Sequence, residues 1–90
     1  MGNEVNMETP KKTPLTLRLD YTKLWKLLID KKRKKEDLRR EAGVSAASIS
    51  RLTRGENVTT DTLLRICQYL DCDIADICEV VSSNPKRETN

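Results

Sequence analysis

The sequence predicts an all-α domain of five short helices, preceded by a short N-terminal strand or arm. Apolar residues recur at helical spacing in residues 21–31, 60–70 and 74–81. Between the first two of these segments, Gly43-Val44-Ser45 interrupts a stretch that otherwise reads as helix on both sides. Capping residue types stand at the expected starts, with Asp20, Ser45, Thr59 or Thr60, and Asp73 each preceding an apolar period.

Ninety residues allow one domain. Residues 1–14 and 82–90 carry Pro, Lys, Ser and Asn with few apolar side chains, and are expected to be flexible tails flanking a domain at 15–81. Such a domain lies near the lower size limit for folding without disulfides or metal. Aromatics are limited to Trp25, Tyr21 and Tyr69, so Leu, Ile and Val must build the core. Met7 is an alternative start to Met1.

Leu15-Thr16-Leu17-Arg18-Leu19 alternates apolar and polar side chains, the period of a strand. Such a strand pairs with its copy in a second subunit or packs across the domain. An ordered arm without a strand partner fits the pattern equally well. Asp20 is then placed to cap a helix over residues 21–31, where Tyr21, Leu24, Trp25 and Leu28 fall at i, i+3, i+4 and i+7. Trp25 reads as a core anchor.

In residues 34–55, Gly43 stands where a helix should end in a left-handed residue. Ser45 follows as an N-cap able to accept from the N–H of Ser48. Val44 and Ile49 match a hydrophobic staple across that cap. Leu38 and Ala42 give the first short helix an inward stripe, and Ile49 and Leu52 the second. The outward face of the second helix is then Ala46, Ala47, Ser50, Arg51 and Arg54. It is small, polar and basic, with no acid. A DNA major groove asks this of an inserted helix: small residues that allow approach and donors aimed at base edges. A helical hairpin with a merely solvated basic face is the alternative.

A helix over residues 60–70 follows, with Leu63, Leu64, Ile66, Cys67 and Leu70 expected inward. A fifth begins after Asp73, with Asp76 at its third position and Ile74, Ile77, Cys78 and Val81 as its stripe. Charge divides along the chain. Residues 21–55 hold 11 Lys/Arg against 4 Asp/Glu, a net of +7, while residues 56–80 hold 1 Arg against 6 acids, a net of −5. The first half suits a polyanion. The run Lys31 to Lys35 adds to it, with Lys34 and Lys35 beside the start of the second helix.

The residues Lys35-Glu36-Asp37-Leu38, Ala42-Gly43-Val44-Ser45, Ile49-Ser50-Arg51-Leu52, Gly55-Glu56, Thr62-Leu63-Leu64, Ile66-Cys67, Leu70 and Ile77 together resemble the helix-turn-helix domain of the phage Cro/CI repressor family, also called XRE-type. The match spans about residues 20–80. The segment 21–30 is similar to small stand-alone regulators of mobile elements, including VanU-like ones. The resemblance implies a five-helix, lambda-repressor-like domain that binds double-stranded operator DNA as a homodimer and lays its third helix in the major groove. It implies base reading by Ala46, Ala47 and Arg51. Phosphate or flanking contacts would come from Lys34, Lys35, Ser45, Ser48, Ser50, Arg54, Asn57, Thr59 and Thr60. Lys35 replaces a Gln usual at the start of the second helix, and Asp61 puts a negative charge near the usual phosphate site of the fourth. Ala46 and Ala47 have no side-chain donors, which shifts the weight of readout to Arg51. Regulation by occupying a promoter, with contact to RNA polymerase where the protein activates, is what such a domain implies.

Other classes fit less well. The chain has no His, no phosphate-cradling Gly loop and no evident pair of catalytic carboxylates, which argues against an enzyme. Cys67, Cys72 and Cys78 lack a Cys-x-x-Cys spacing and read as small buried hydrophobes rather than zinc ligands. No cofactor or small-molecule motif is present. Without an apolar leader or an 18-residue apolar run, a cytoplasmic location with no membrane contact is expected. A protein-binding adaptor or antitoxin-like module, docking through the acidic residues 71–79, is the alternative use of the same fold.

Overall fold

The computed structural model describes residues 14–83. Of the tails expected at 1–14 and 82–90, residues 1–13 and 84–90 lie outside the described residues. Four helices and a two-stranded sheet follow in the order β1 (Leu17–Asp20), α1 (Thr22–Asp30), α2 (Lys35–Arg40), α3 (Ala46–Arg54), α4 (Thr60–Leu70), a single 3-10 turn (Ile74–Asp76) and β2 (Glu79–Ser82).

The expected fifth helix is therefore replaced by the 3-10 turn and β2, and the domain is not purely α. Asp73 does cap this turn, accepting from the N–H of Ile74 at 2.6 Å, while its own N–H donates to Asp76 Oδ2 at 2.9 Å. The helical spacing of Ile77 and Cys78 only marks two side chains that turn inward, at 0% and 4% exposure. Beyond them Val80 and Val81 are β-branched and favour extended backbone. They find a partner in β1. The strands run antiparallel, with Leu17 opposite Ser82, Arg18 opposite Val81, Leu19 opposite Val80 and Asp20 opposite Glu79. β1 thus pairs across its own domain. Ser83 extends the ladder by donating its N–H to the Thr16 carbonyl at 2.8 Å.

The core gathers Tyr21, Leu24 and Leu28 of the α1 region, Leu38 of α2, Val44 of the turn, Leu52 of α3, Leu63, Ile66, Cys67 and Leu70 of α4, and Ile77 and Cys78. Trp25 and Ile49 pack on it half-buried. Leu64, expected inward, is 60% exposed, and Thr62 is buried in its place. Adjacent positions on a helix lie about 100° apart, so the stripe that takes Leu63, Ile66 and Leu70 turns Leu64 outward. The three cysteines are free thiols. Burial raises their pKa values, that of Cys72 to about 11, which keeps them protonated.

Two helix ends differ from expectation. Asp20 lies in β1, and Tyr21 holds the N-cap position of α1; the Asp20 carboxylate still accepts from the Thr22 N–H at 3.2 Å. α2 stops at Arg40, leaving Ala42 just beyond it, half-buried against the core. Left-handed residues close the other ends. Gly43 has φ +79° and returns the Val44 N–H to the Leu38 carbonyl at 3.0 Å. Gly55, at φ +75°, closes α3 with bonds from its own N–H to Leu52 and from Glu56 N–H to Arg51. Lys32 (φ 57°) and Asp71 (φ 54°) take the same role after α1 and α4, at a conformational cost that Gly would avoid.

These backbone positions give a paired prediction. Gly55→Ala meets open space and costs only the left-handed strain, about 1–2 kcal/mol, whereas Lys32→Gly relieves the same strain and stabilises by up to about 1 kcal/mol. Urea denaturation of the three proteins should show opposite shifts of midpoint.

Candidate nucleic-acid interface

α2, the turn and α3 form a helix-turn-helix held from below. Leu38, Val44 and Leu52 are each no more than 2% exposed. With those three side chains inward, Ala46, Ala47, Arg51 and Arg54 lie on the solvent side, all exposed, with Ser50 half-buried beside them. The small, basic face expected from the sequence is thus a surface, and no acid of α3 interrupts it.

Ser45 caps α3 as expected, its Oγ accepting from the Ser48 N–H at 3.1 Å. The cap continues inward. Ser48 Oγ lies 3.4 Å from Thr62 Oγ1, which also bonds Thr59 Oγ1 at 3.2 Å. Thr59 in turn caps α4 by accepting from the Thr62 N–H at 3.2 Å. A chain of hydroxyls therefore ties the N-termini of α3 and α4 together. Ser48 and Thr59 act as struts within it, and Thr62, which the sequence reading passed over, is its buried centre. Asn57 and Thr60 are exposed and make no side-chain hydrogen bond among the described residues. Asp61 is paired with Arg65 at 2.8 Å, so the acid near the start of α4 is locally compensated.

Lys35 opens α2, with Lys34 exposed at the position before it. Its ammonium donates to Thr53 Oγ1 at 3.1 Å and sits 4.4 Å from the centroid of the Trp25 ring. One cation thus bridges α1, α2 and the end of α3, a contact worth about 0.5–1 kcal/mol at an exposed site. The first turn of α2 also carries Glu36 and Asp37. Asp37 accepts from the Lys34 N–H at 2.8 Å, and Glu36 binds Arg39. The two carboxylates offset the positive end of that helix, so the charge presented there is that of Lys34 and Lys35.

The two arginines of α3 differ. Arg51 makes no hydrogen bond or ion pair among the described residues and is free to extend. Arg54 is held on two sides. Its Nε and Nη2 donate to Glu56 Oε2 and Oε1 at 2.8 and 3.1 Å, and its Nη1 donates to Ser50 Oγ at 2.6 Å. The bonds from Arg54, with the nearby charge of Arg51, hold the Glu56 carboxyl below the usual carboxylate range. Glu56 had no place among the sequence-derived site residues. Its partner is two positions away, a spacing that does not meet on a continuous helix. The left-handed residue Gly55 reverses the chain between them.

A further tether fixes the loop that follows. The buried Tyr21 hydroxyl donates to the Glu56 carbonyl at 3.1 Å, and burial raises the Tyr21 pKa. The Tyr69 hydroxyl bonds Glu41 Oε1 at the end of α2, with Arg33 over its ring at 5.8 Å. No helix among the described residues is long and apolar enough to cross a membrane.

Comparison with known proteins agrees with this geometry. The family model of the Cro/C1-type HTH DNA-binding domain matches residues 23–83. Among curated proteins no match was found. The crystal structure of transcriptional regulator VanUg, form II, superposes with a TM-score of 0.74 at 42% sequence identity, covering 88% of this chain and 99% of that one. The matched segment holds α2, α3, α4, all of α1 but its first residue and the strand β2, and on that basis the chain belongs to the Cro/C1-type helix-turn-helix DNA-binding family.

Proposed function

We propose that this protein is a transcriptional regulator that binds operator DNA by laying α3 in the major groove. The observation that carries the reading is the exposed face Ala46, Ala47, Ser50, Arg51 and Arg54, projected by a buried Leu38–Val44–Leu52 footing. Ala46 and Ala47 allow close approach and suit thymine methyl groups, while Arg51 supplies donors for a guanine. Lys34, Lys35, Ser45, Asn57 and Thr60 lie around that face as backbone contacts. Occupying a promoter represses by default, and a surface touching RNA polymerase would make the same binding activating.

One short helix reads few base pairs, so the functional unit is a homodimer with half-sites about 34 Å apart. We assign the second copy to the two-stranded sheet, where Leu15 (80%), Leu17 (42%) and Val80 (64%) are exposed apolar side chains on neighbouring residues of the two strands and the arm before them. The acidic residues 71–79 give the adaptor reading less support. Asp73 and Asp76 are spent on a turn cap, and Glu79 lies 3.6 Å from the Lys23 ammonium.

Arg51→Ala is expected to relax base preference at one position per half-site and to cost about 1–3 kcal/mol in operator binding. Fluorescence anisotropy on the operator and on single-base variants would check it, and equal selectivity in parent and variant would remove Arg51 from the readout. Lys35→Ala should weaken binding to all sequences alike and reduce the salt slope by about one per subunit. A change in which sequences are preferred would contradict its phosphate role. The double change Leu17→Asp with Val80→Asp should halve the mass seen by light scattering at micromolar protein. A dimer that survives it lies elsewhere.

A further inference from the structure

We infer that Arg54 is a guanine-reading residue and that Glu56 positions it; the inference rests on the DNA-binding reading above. A guanidinium has five N–H donors in a fixed plane. Glu56 takes two of them, on the Nε and Nη2 edge, through both carboxylate oxygens. Ser50 takes a third, from Nη1. Ser50 stands one helical turn before Arg54, and we assign to it the Nη1 hydrogen on the stem side, away from the edge that Glu56 holds. The two donors left over are one on each terminal nitrogen. They are parallel and form the end of the fork. Guanine presents the matching pair of acceptors, O6 and N7, on its major-groove edge.

The same arrangement speaks against a phosphate as the target of Arg54. The carboxylate that aims the fork also cancels its charge, and it repels any phosphate drawn close. A neutral base edge carries no such penalty. Holding the side chain in advance also removes much of the rotamer freedom that an unsupported arginine loses on binding. Arg51 has no such support, and Ala46 and Ala47 have no donors. Arg54 is therefore the one arginine of α3 whose donors are fixed before DNA arrives. Both partners remain reachable, with the Arg54 and Glu56 side chains 56% and 49% exposed.

The test uses the full chain. Selection from a random duplex pool gives the operator, and titrations on it, on the operator with each enriched guanine replaced by adenine, and on unrelated duplex give the discrimination. Arg54→Lys keeps the charge but not the fork, and should lose the preference for one guanine per half-site. Glu56→Ala and Glu56→Gln remove the same negative charge, so both should tighten binding to unrelated DNA by the same factor. They differ in geometry, because Gln keeps one acceptor for the guanidinium. Discrimination at that guanine should therefore fall about tenfold in Glu56→Ala and by less in Glu56→Gln. Guanine preference intact in Glu56→Ala, with all sequences bound more tightly, would make Arg54 a backbone contact and overturn the assignment. So would unchanged preference in Arg54→Lys. A parent protein that enriches nothing from the pool overturns the DNA-binding reading itself, a result distinct from either of these.

Discussion

Everything on the outer face of α3 depends on burial at its inner face. Leu38, Val44 and Leu52 occupy the three sides of the helix-turn-helix that face the core with Leu24 and Ile66, and none of the five is more than 2% exposed. Each side chain so buried contributes on the order of 1.5–3 kcal/mol, in a domain with few others to replace it. The same burial sets orientation. Because Leu52 points inward, the positions one residue back and two residues on, Arg51 and Arg54, must point out. Hydrophobic burial thus does two jobs: it stabilises the motif and turns the charged side chains of α3 outward.

The features legible in the sequence were those with local causes. Gly43 announces a left-handed turn after a helix, Ser45 announces a cap, Thr59 is one of two adjacent candidate caps, and Asp73 announces a cap with Asp76 at its third position. Each signal is read within a few residues, and each held. What failed was a non-local choice. Ile74, Ile77, Cys78 and Val81 have helical spacing, but residues 79–82 gain more by pairing with β1, about sixty positions earlier. The sequence did contain β-branched Val80-Val81 and an alternating segment at 15–19. Only the fold shows that they belong together. Leu64 failed for a related reason. Consecutive leucines at 63 and 64 do not say which one the core takes, and α4 takes Leu63 on the stripe that also buries Thr62, Ile66 and Leu70.

The site was legible to a similar depth. Charge counting found the basic half of the chain, and periodicity found the outward face of α3. Neither could find the pairs that cross element ends. Lys35 reaches Thr53 and Trp25 only because α2 packs across α3 and α1, and Glu56 reaches Arg54 only because Gly55 turns the chain back. Ser48 is expected from the resemblance as a phosphate or flanking contact, and the fold sets its hydroxyl 3.4 Å from that of Thr62. Side chains that share a face were predictable; side chains that share a neighbour across a break were not.

The acidic half of the chain has a structural account that sharpens the basic half. Asp61 is paired with Arg65, Glu79 lies near Lys23, Asp73 and Asp76 hold the 3-10 turn, and Asp71 sits in the left-handed position that ends α4. Asp61, Asp73, Asp76 and Glu79 are thus paired with a cation or bonded to backbone N–H groups where they stand. Lys31 to Lys34 and Arg51 have no such hydrogen-bonded acid at hand among the described side chains. Their charges are left to act at a distance, and the net charge of +7 over residues 21–55 favours approach by a polyanion. Of the acids near α3, Glu36 is paired with Arg39, Asp37 accepts from the Lys34 N–H, and Glu56 is spent on Arg54. The chain therefore separates two uses of arginine that composition cannot distinguish: charge that attracts, and donors that are held in line.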